Sequence, residues 1–426
     1  MNYFWMMVVL GCGVVLLRRR GFDVVALAIA SSIIYFIPGL FGFGFFVESE
    51  VPYVSILSPE TYTCMAIVIG ALIACALAYD AAGKLRARVL VRWNFKDDEL
   101  AGEISLLVAC GALVATLATI GPEALAEQKK LFIHELGYTY WAFEIFASLS
   151  VLIAFAQRKF RLMVAGILLL VVDLVLGFRL GAITTALGML LLATAQATPQ
   201  RLLGRWGLLL GLGLCFFAAL IWKELISGMK EGLMSGDFTI FVNVISTPIS
   251  YADAFFRSEP FVTTTILNEV IRNHYELPLA HLTAAFSIAL PFVSSLDLAG
   301  ATSGALFQRD LFPEVQFGMA HNIWAQMYAL GGLSAVAVYG VLFGLVVLTL
   351  QLLIRRSGGS LAAFLALTAS YWAFYSHRND FFYQLILQRR ILFAFGAALV
   401  CSVFIKFLLS RIPAGKPRFQ TDAQAS

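Results

Sequence analysis

Four arginines and one histidine stand where a chain this apolar has little structural use for them. Arg179 interrupts the run Leu176-Gly177-Phe178-Arg179-Leu180-Gly181, and Arg378, Arg389 and Arg390 abut or enter another apolar stretch. An arginine beside hydrocarbon costs roughly 2.5–3.5 kcal/mol at a helix centre, so it faces a cavity or a partner. A planar guanidinium holds phosphate oxygens through two parallel N–H donors. Four such groups on one membrane face point to an anion site, for a lipid phosphate or a pyrophosphate. Each could instead snorkel to the headgroups or pair with an intramembrane acid such as Asp173 or Glu144.

The histidine belongs to Gly318-Met319-Ala320-His321-Asn322-Ile323-Trp324-Ala325-Gln326-Met327-Tyr328-Ala329-Leu330-Gly331-Gly332-Leu333. The polar His321-Asn322 pair opens an apolar run, which predicts a helix N-terminus whose free N–H groups and dipole favour anions. The glycines further along are expected to allow close helix approach. Neutral imidazole is the usual proton acceptor near pH 7, so His321 is the candidate general base. The competing reading is a histidine that only caps or braces the helix.

The elements that must position these groups are membrane spans. Hydrophobic residues make up 60% of the 426 and charged residues 13%, more apolar surface than a soluble core uses. Apolar runs long enough to cross about 30 Å of hydrocarbon recur along the chain. They fall near 3–17, 24–46, 62–79, 104–121, 138–156, 162–177, 181–197, 206–222, 321–350, 361–377 and 388–409. The expected fold is therefore an all-α polytopic membrane protein of about 11 transmembrane helices. Pro38 and neighbouring glycines mark 24–46 as a span that can break. Eight spans occupy 1–222, one large external loop occupies 223–320 between spans 8 and 9, and three spans occupy 321–411. The tail 412–426 is polar and reads as disordered on the cytoplasmic side.

Basic residues orient the spans. With the N-terminus outside, one face receives Arg18–Arg20, the Lys84–Lys96 cluster, Arg158–Arg161, Arg201, Arg205, Arg355, Arg356 and the tail, 19 of 30 in all. The positive-inside rule makes that face cytoplasmic and the Lys223–Ala320 loop external. The net charge of +4 is thus a topology signal and calls for no nucleic acid. The loop carries 5 Lys/Arg against 10 Asp/Glu, holds His274 and His281, and ends at His321, the composition of a segment that does chemistry at a surface. Within it, Leu277–Val293 is apolar but short and reads as interfacial or re-entrant. Arg257, Arg272 and Arg309 are further loop candidates for acceptor contact, with Asn322. Tyr251, Phe255, Phe256 and Tyr275 suit sugar stacking or interfacial anchoring. The six cysteines sit in or beside apolar runs with no C-x-x-C pair, which supports neither a disulfide framework nor a metal site. No cofactor is expected.

Gly177-Phe178-Arg179 after an apolar run, a large external loop, Ala320-His321-Asn322 entering a helix with Gly331-Gly332, then Tyr375-Ser376-His377-Arg378-Asn379-Asp380 form an ordered series. From about residue 160 to 400 this layout resembles the bacterial O-antigen polymerases and the related O-antigen ligases. The resemblance implies a polytopic glycosyltransferase of the inner membrane, with a periplasmic loop, acting on polyprenyl-pyrophosphate-linked oligosaccharides. It implies that Arg179 and Arg378 hold the pyrophosphate and that His321 lies beside the acceptor hydroxyl; Arg389 and Arg390 join the pyrophosphate candidates on their residue type and place in the chain. A chain-length regulator is the protein partner it brings into view. Ligase-type members often carry an acid shortly before the second glycine; here Tyr328, Ala329 and Leu330 stand there, which favours the polymerase. The ligase that moves glycan onto a lipid A core, and a transporter of lipid-linked sugars, are the alternatives. A transporter usually shows two related halves with charges near the midplane, and neither is evident.

Overall fold

The computed structural model describes residues 2–19, 21–48, 51–84, 93, 98–121, 136–195, 229–230, 232, 235–237, 239–246, 255–287, 302–315 and 320–411. The expected span 206–222, Tyr251, the tail and much of the loop lie outside them. The chain is an all-α membrane-embedded protein with one small hairpin. Its elements are α1 (Asn2–Arg19), α2 (Val24–Tyr35), α3 (Pro38–Phe41), β1 (Phe43–Glu48), β2 (Val51–Ile56), α4 (Pro59–Lys84), α5 (Ala101–Ile120), α6 (Tyr138–Ala156), α7 (Phe160–Val175) and α8 (Leu180–Ala195). There follow α9 (Thr239–Ser246), α10 (Glu259–Arg272), α11 (Ala280–Ser287), α12 (Ser303–Leu311), α13 (Ile323–Arg356), α14 (Gly359–Ser370) and α15 (Phe381–Arg411). Among the described residues six segments are long and apolar enough to cross a membrane, and α1 and α8 add shorter apolar helices.

Several expected boundaries move, each for a local reason. The run 24–46 breaks at Ile37-Pro38, where proline stops the α2 ladder, and the chain leaves as β1 at Phe43. β1 and β2 pair antiparallel from Phe43↔Ile56 to Glu48↔Val51, so the end of that apolar run is strand. The last span begins at Phe381, a turn and more before residue 388, which puts Arg389 and Arg390 inside the helix. Its start is set by Asp380, whose Oδ1 accepts from Tyr383 N at 2.7 Å. Before it, α14 passes through a π turn (Tyr371–Tyr375) and a 3₁₀ turn (Ser376–Arg378).

The pair Gly331-Gly332 does something other than let a neighbouring helix approach, a role that falls instead to Gly340 and Gly344 against Ala71 and Cys75 of α4. Gly332 has φ 63°, ψ −153°, and Gly331 an extended φ of 179°, so the helix breaks between Leu330 and Leu333. A Cβ on Gly332 would meet no atom within 4 Å, so no neighbour demands the missing side chain there. The carbonyl of Ala329 left over by the break accepts from Leu277 N at 2.8 Å, which stitches the long loop to the helix.

The loop helix α10 is embedded rather than solvated. Ser258 precedes it, Pro260 sits in its first turn, and its buried residues run from Pro260 to Ile271. Asn268 fastens it to the start of α4: Oδ1 accepts from Ser58 N at 2.8 Å and Thr61 Oγ1 at 2.7 Å, while Nδ2 donates to Ser55 Oγ at 2.7 Å and Ile56 O at 3.0 Å. Phe255 and Phe256 pack with Phe41, Phe43 and Phe261 between α10 and the hairpin, so those rings brace the loop. Of the apolar stretch 277–293, only α11 and the residues leading to it are described; it is a helix of two turns.

Candidate functional site

Two of the four arginines meet on one carboxylate oxygen. Arg179 sits on the turn between α7 and α8, and Arg378 ends the 3₁₀ turn after α14. Arg179 Nη2 lies 2.5 Å and Arg378 Nη1 2.7 Å from Oε1 of Glu259, the first residue of α10. Arg378 Nη1 also donates to Tyr375 Oη at 2.5 Å, and Tyr35 Oη to Glu259 Oε2 at 3.4 Å. Two guanidiniums from distant parts of the chain thus converge on one carboxylate. The side chain of Glu259 is 21% exposed and that of Arg378 34%, so the cluster reaches the protein surface.

Burial alone would raise the Glu259 carboxyl above the usual carboxylate range. Arg378 and then Arg179 more than offset this and hold it at about 2, against an ordinary 4.5. A carboxyl depressed in the folded state adds stability that is complete above the unfolded value and is lost as pH falls through the folded one. The cluster is therefore expected to be insensitive to pH between about 5 and about 8 and to weaken from about 4.5 downward. Thermal unfolding in detergent checks this: Glu259→Gln should flatten the acid limb, and an unchanged limb would assign it to other groups.

The other expected arginines separate. Arg390 stacks over the Trp141 ring at 4.5 Å, toward α6. Arg389 is half-buried on the same turn, and no described contact brings it to Glu259. Arg272 pairs with Glu269 at 3.4 Å on its own helix, and Arg309 with its neighbour Asp310 at 2.6 Å, both largely exposed. Arg257 is exposed in the turn before α10. Tyr275 donates to Asp310 at 2.5 Å, which turns its hydroxyl toward the Arg309 pair. Of the two acids in apolar helices, Asp173 accepts from Tyr140 Oη at 2.9 Å, and Glu144 is buried beside α8.

The second centre is built around His321. Its Nδ1 lies 3.5 Å from Asp380 Oδ2, and its ring stacks on Tyr383 with centroids 5.8 Å apart and planes at 19°. Asp380 is fully buried and is held by three donors: Ser303 N at 3.1 Å, Ser303 Oγ at 2.9 Å and Tyr383 N at 2.7 Å. The imidazole leans directly on Gly304, where an added Cβ would occupy the ring's own space. Nδ1 makes no hydrogen bond, and Asp380 is the carboxylate close to it; a proton on Nδ1 leaves Nε2 as the basic nitrogen, on a side chain 24% exposed. An imidazole with a carboxylate on one side and an open nitrogen on the other is the pairing that nucleophile-activating sites tighten on binding substrate. Asn322 caps α13 instead of reaching outward: Oδ1 accepts from Trp324 N at 2.9 Å and Ala325 N at 3.1 Å, and Nδ2 donates to Thr263 O at 2.7 Å.

Three residues with no role assigned from the sequence complete the site: Glu259, Asp380 and His377. His377 is buried beside the Glu259 cluster, its ring stacked on Tyr35 with centroids 5.3 Å apart. Its Nδ1 lies 2.8 Å from Trp324 Nε1, which can only donate, so Nδ1 accepts. His377 is therefore neutral, and its Nε2–H donates to Ser32 Oγ at 3.0 Å. Ser32 passes its own proton to Ala28 O at 2.8 Å, which closes the chain. Tyr383 links the centres: it stacks on His321 and lies within electrostatic reach of Arg390, Arg378 and Asp380. The signal for Asp380 was present in Asn379-Asp380 before an apolar run, a helix-capping pattern. Glu259 had no comparable signal. Comparison with known protein families, with curated proteins and with solved structures finds no match for this chain.

Proposed function

We propose that the protein is a membrane glycosyltransferase that polymerises polyprenyl-pyrophosphate-linked oligosaccharide repeat units at the periplasmic face of a bacterial inner membrane. The observation that carries this reading is the meeting of Arg179 and Arg378, from separate spans, on one oxygen of Glu259 beside a His321–Asp380 pair. A converging pair of guanidiniums suits a lipid pyrophosphate, and an imidazole with a buried carboxylate close to it suits a sugar hydroxyl.

In the reaction the acceptor hydroxyl gives its proton to His321 Nε2 as its oxygen bonds to the anomeric carbon of the donor. The bond from that carbon to pyrophosphate breaks, and the electron pair leaves on the phosphate oxygen. The arginine pair stabilises that charge, and Asp380 stabilises the imidazolium until its proton is lost. A chain-length regulator would be the partner that limits repetition.

The topology that goes with this has about 11 spans and an external loop 223–320. Reporters fused near Lys96 and Arg356 should read cytoplasm and one near Glu259 the exterior; a cytoplasmic reading at Glu259 would overturn the mechanism with the map. The function is tested by the surface glycan of a deletion strain. Caps of a single repeat unit indicate the polymerase. A bare core with lipid-linked polymer accumulating would indicate a ligase, and lipid-linked units stranded inside a transporter.

A further inference from the structure

A second imidazole stands beside the His321–Asp380 pair. α11 packs on the first turns of α15: Phe286 meets Phe381 edge-on at 5.2 Å, and Ala285 clusters with Phe382 and Ile386. His281 precedes Ala285 by one helical turn and so shares its face. It is 8% exposed, and its Nε2 is buried with no hydrogen-bond partner. Burial lowers its proton affinity and the nearby charge of Asp380 partly restores it, so the ring is neutral at pH 7.

A buried ring nitrogen without a partner is unusual, because desolvation is unrewarded. Another such group, from α13, reaches the first turn of α15. Gln326 is fully buried, its Oε1 accepts from Phe381 N at 2.8 Å, and its Nε2 meets no partner. The Phe381 donor fixes which end of the amide is oxygen, so the unpartnered end is a donor. A third group, His321 Nδ1, has only the 3.5 Å approach of Asp380. Donating and accepting groups, buried and unpaired around residues 380–382, match a ligand whose every polar group can donate and accept. Sugar hydroxyls have that chemistry; a phosphate does not.

We propose that His281, with Gln326, forms a hydroxyl-binding subsite for the acceptor oligosaccharide, next to the base His321. The identity of the ligand as an acceptor rests on the polymerase reading; the existence of the subsite does not. It gives the loop helix α11 a direct part in the site and separates acceptor recognition, near Asp380, from pyrophosphate recognition at Arg179 and Arg378.

The test uses the purified full chain in lipid nanodiscs and, as probe, the repeat-unit oligosaccharide freed from its lipid by mild acid. His281→Phe fills a similar volume and removes a nitrogen that has no partner in the fold. Its melting temperature should therefore equal or exceed that of the wild type, while affinity for the free oligosaccharide falls at least tenfold. His281→Gln should keep part of that affinity. Binding of the lipid-linked unit through its pyrophosphate should survive in both, and Arg378→Ala should show the reverse pattern. Unchanged oligosaccharide affinity in His281→Phe overturns the subsite, as does wild-type protein that fails to bind the probe. A fall in melting temperature that His281→Gln repairs also overturns it, because the nitrogen would then serve the fold. Wild-type binding of the probe with no polymer formed from lipid-linked units would leave the subsite standing and overturn the polymerase reading instead.

Discussion

Arg378→Ala, made and inserted at wild-type level, is expected to cut polymer formation at least tenfold, with Arg378→Lys nearly as poor. One nitrogen, Nη1, makes both contacts, to Glu259 Oε1 at 2.7 Å and to Tyr375 Oη at 2.5 Å, which leaves the other donors of the planar fork to grip phosphate oxygens as a pair, and an ammonium has no such second nitrogen. Charge-assisted hydrogen bonds are worth about 1.5–3 kcal/mol each, which corresponds to roughly ten- to 150-fold in rate if lost only in the transition state. Arg179→Ala should behave alike. A triad that serves only to pin α10 to the spans makes a different prediction: lower melting temperature in each single variant, and recovery when Glu259→Ala is combined with Arg378→Ala. The double-mutant cycle separates the two, since a pyrophosphate site gains nothing from losing Glu259 as well. Normal glycan length distributions in both arginine variants would remove the anion site.

His321→Gln is expected to fail almost as badly as His321→Ala, by roughly 10²–10⁴-fold in turnover, while binding of the lipid-linked donor survives. Glutamine keeps much of the size and polarity but cannot take a proton. Asp380→Asn should lose part of the same activity, because it no longer stabilises the imidazolium at Nδ1. Gly304→Ala should act at a distance, since its methyl would displace the imidazole from its seat. Full rescue by His321→Gln in a complemented deletion strain would make the histidine a brace and leave catalysis to the arginines.

The chain made its misplaced charges easy to read and their partners hard to read. Arg179 and Arg378 stand out because arginine beside apolar residues demands an explanation. Glu259 does not, because one acid among ten in the loop has no local mark and lies 80 residues from Arg179. Arg389 and Arg390 carry the same sequence signal as Arg378, yet helix geometry turns Arg390 toward Trp141. The helix N-terminus at Asn322 was legible from its capping residue, whereas the partner of its amide, the Thr263 carbonyl, is set by tertiary packing. The hairpin was hidden because Phe-Gly-Phe-Phe-Val continues an apolar run without strand alternation. His377 was hidden because a tryptophan donor and a serine acceptor from distant spans define its role.

The break in α13 has a consequence for how the protein fits its bilayer. An unbroken helix of 34 residues would be about 51 Å long, well past a hydrocarbon slab of roughly 30 Å. The glycine pair divides it, leaving residues 333–356, about 36 Å, which match the slab with modest tilt. The outer piece is moored to the loop at both ends, through Asn322 to Thr263 and through Ala329 to Leu277. Thickening or thinning of the lipid is then expected to be taken up by tilt of residues 333–356, while the shorter piece stays moored to the loop and His321 keeps its register with Asp380.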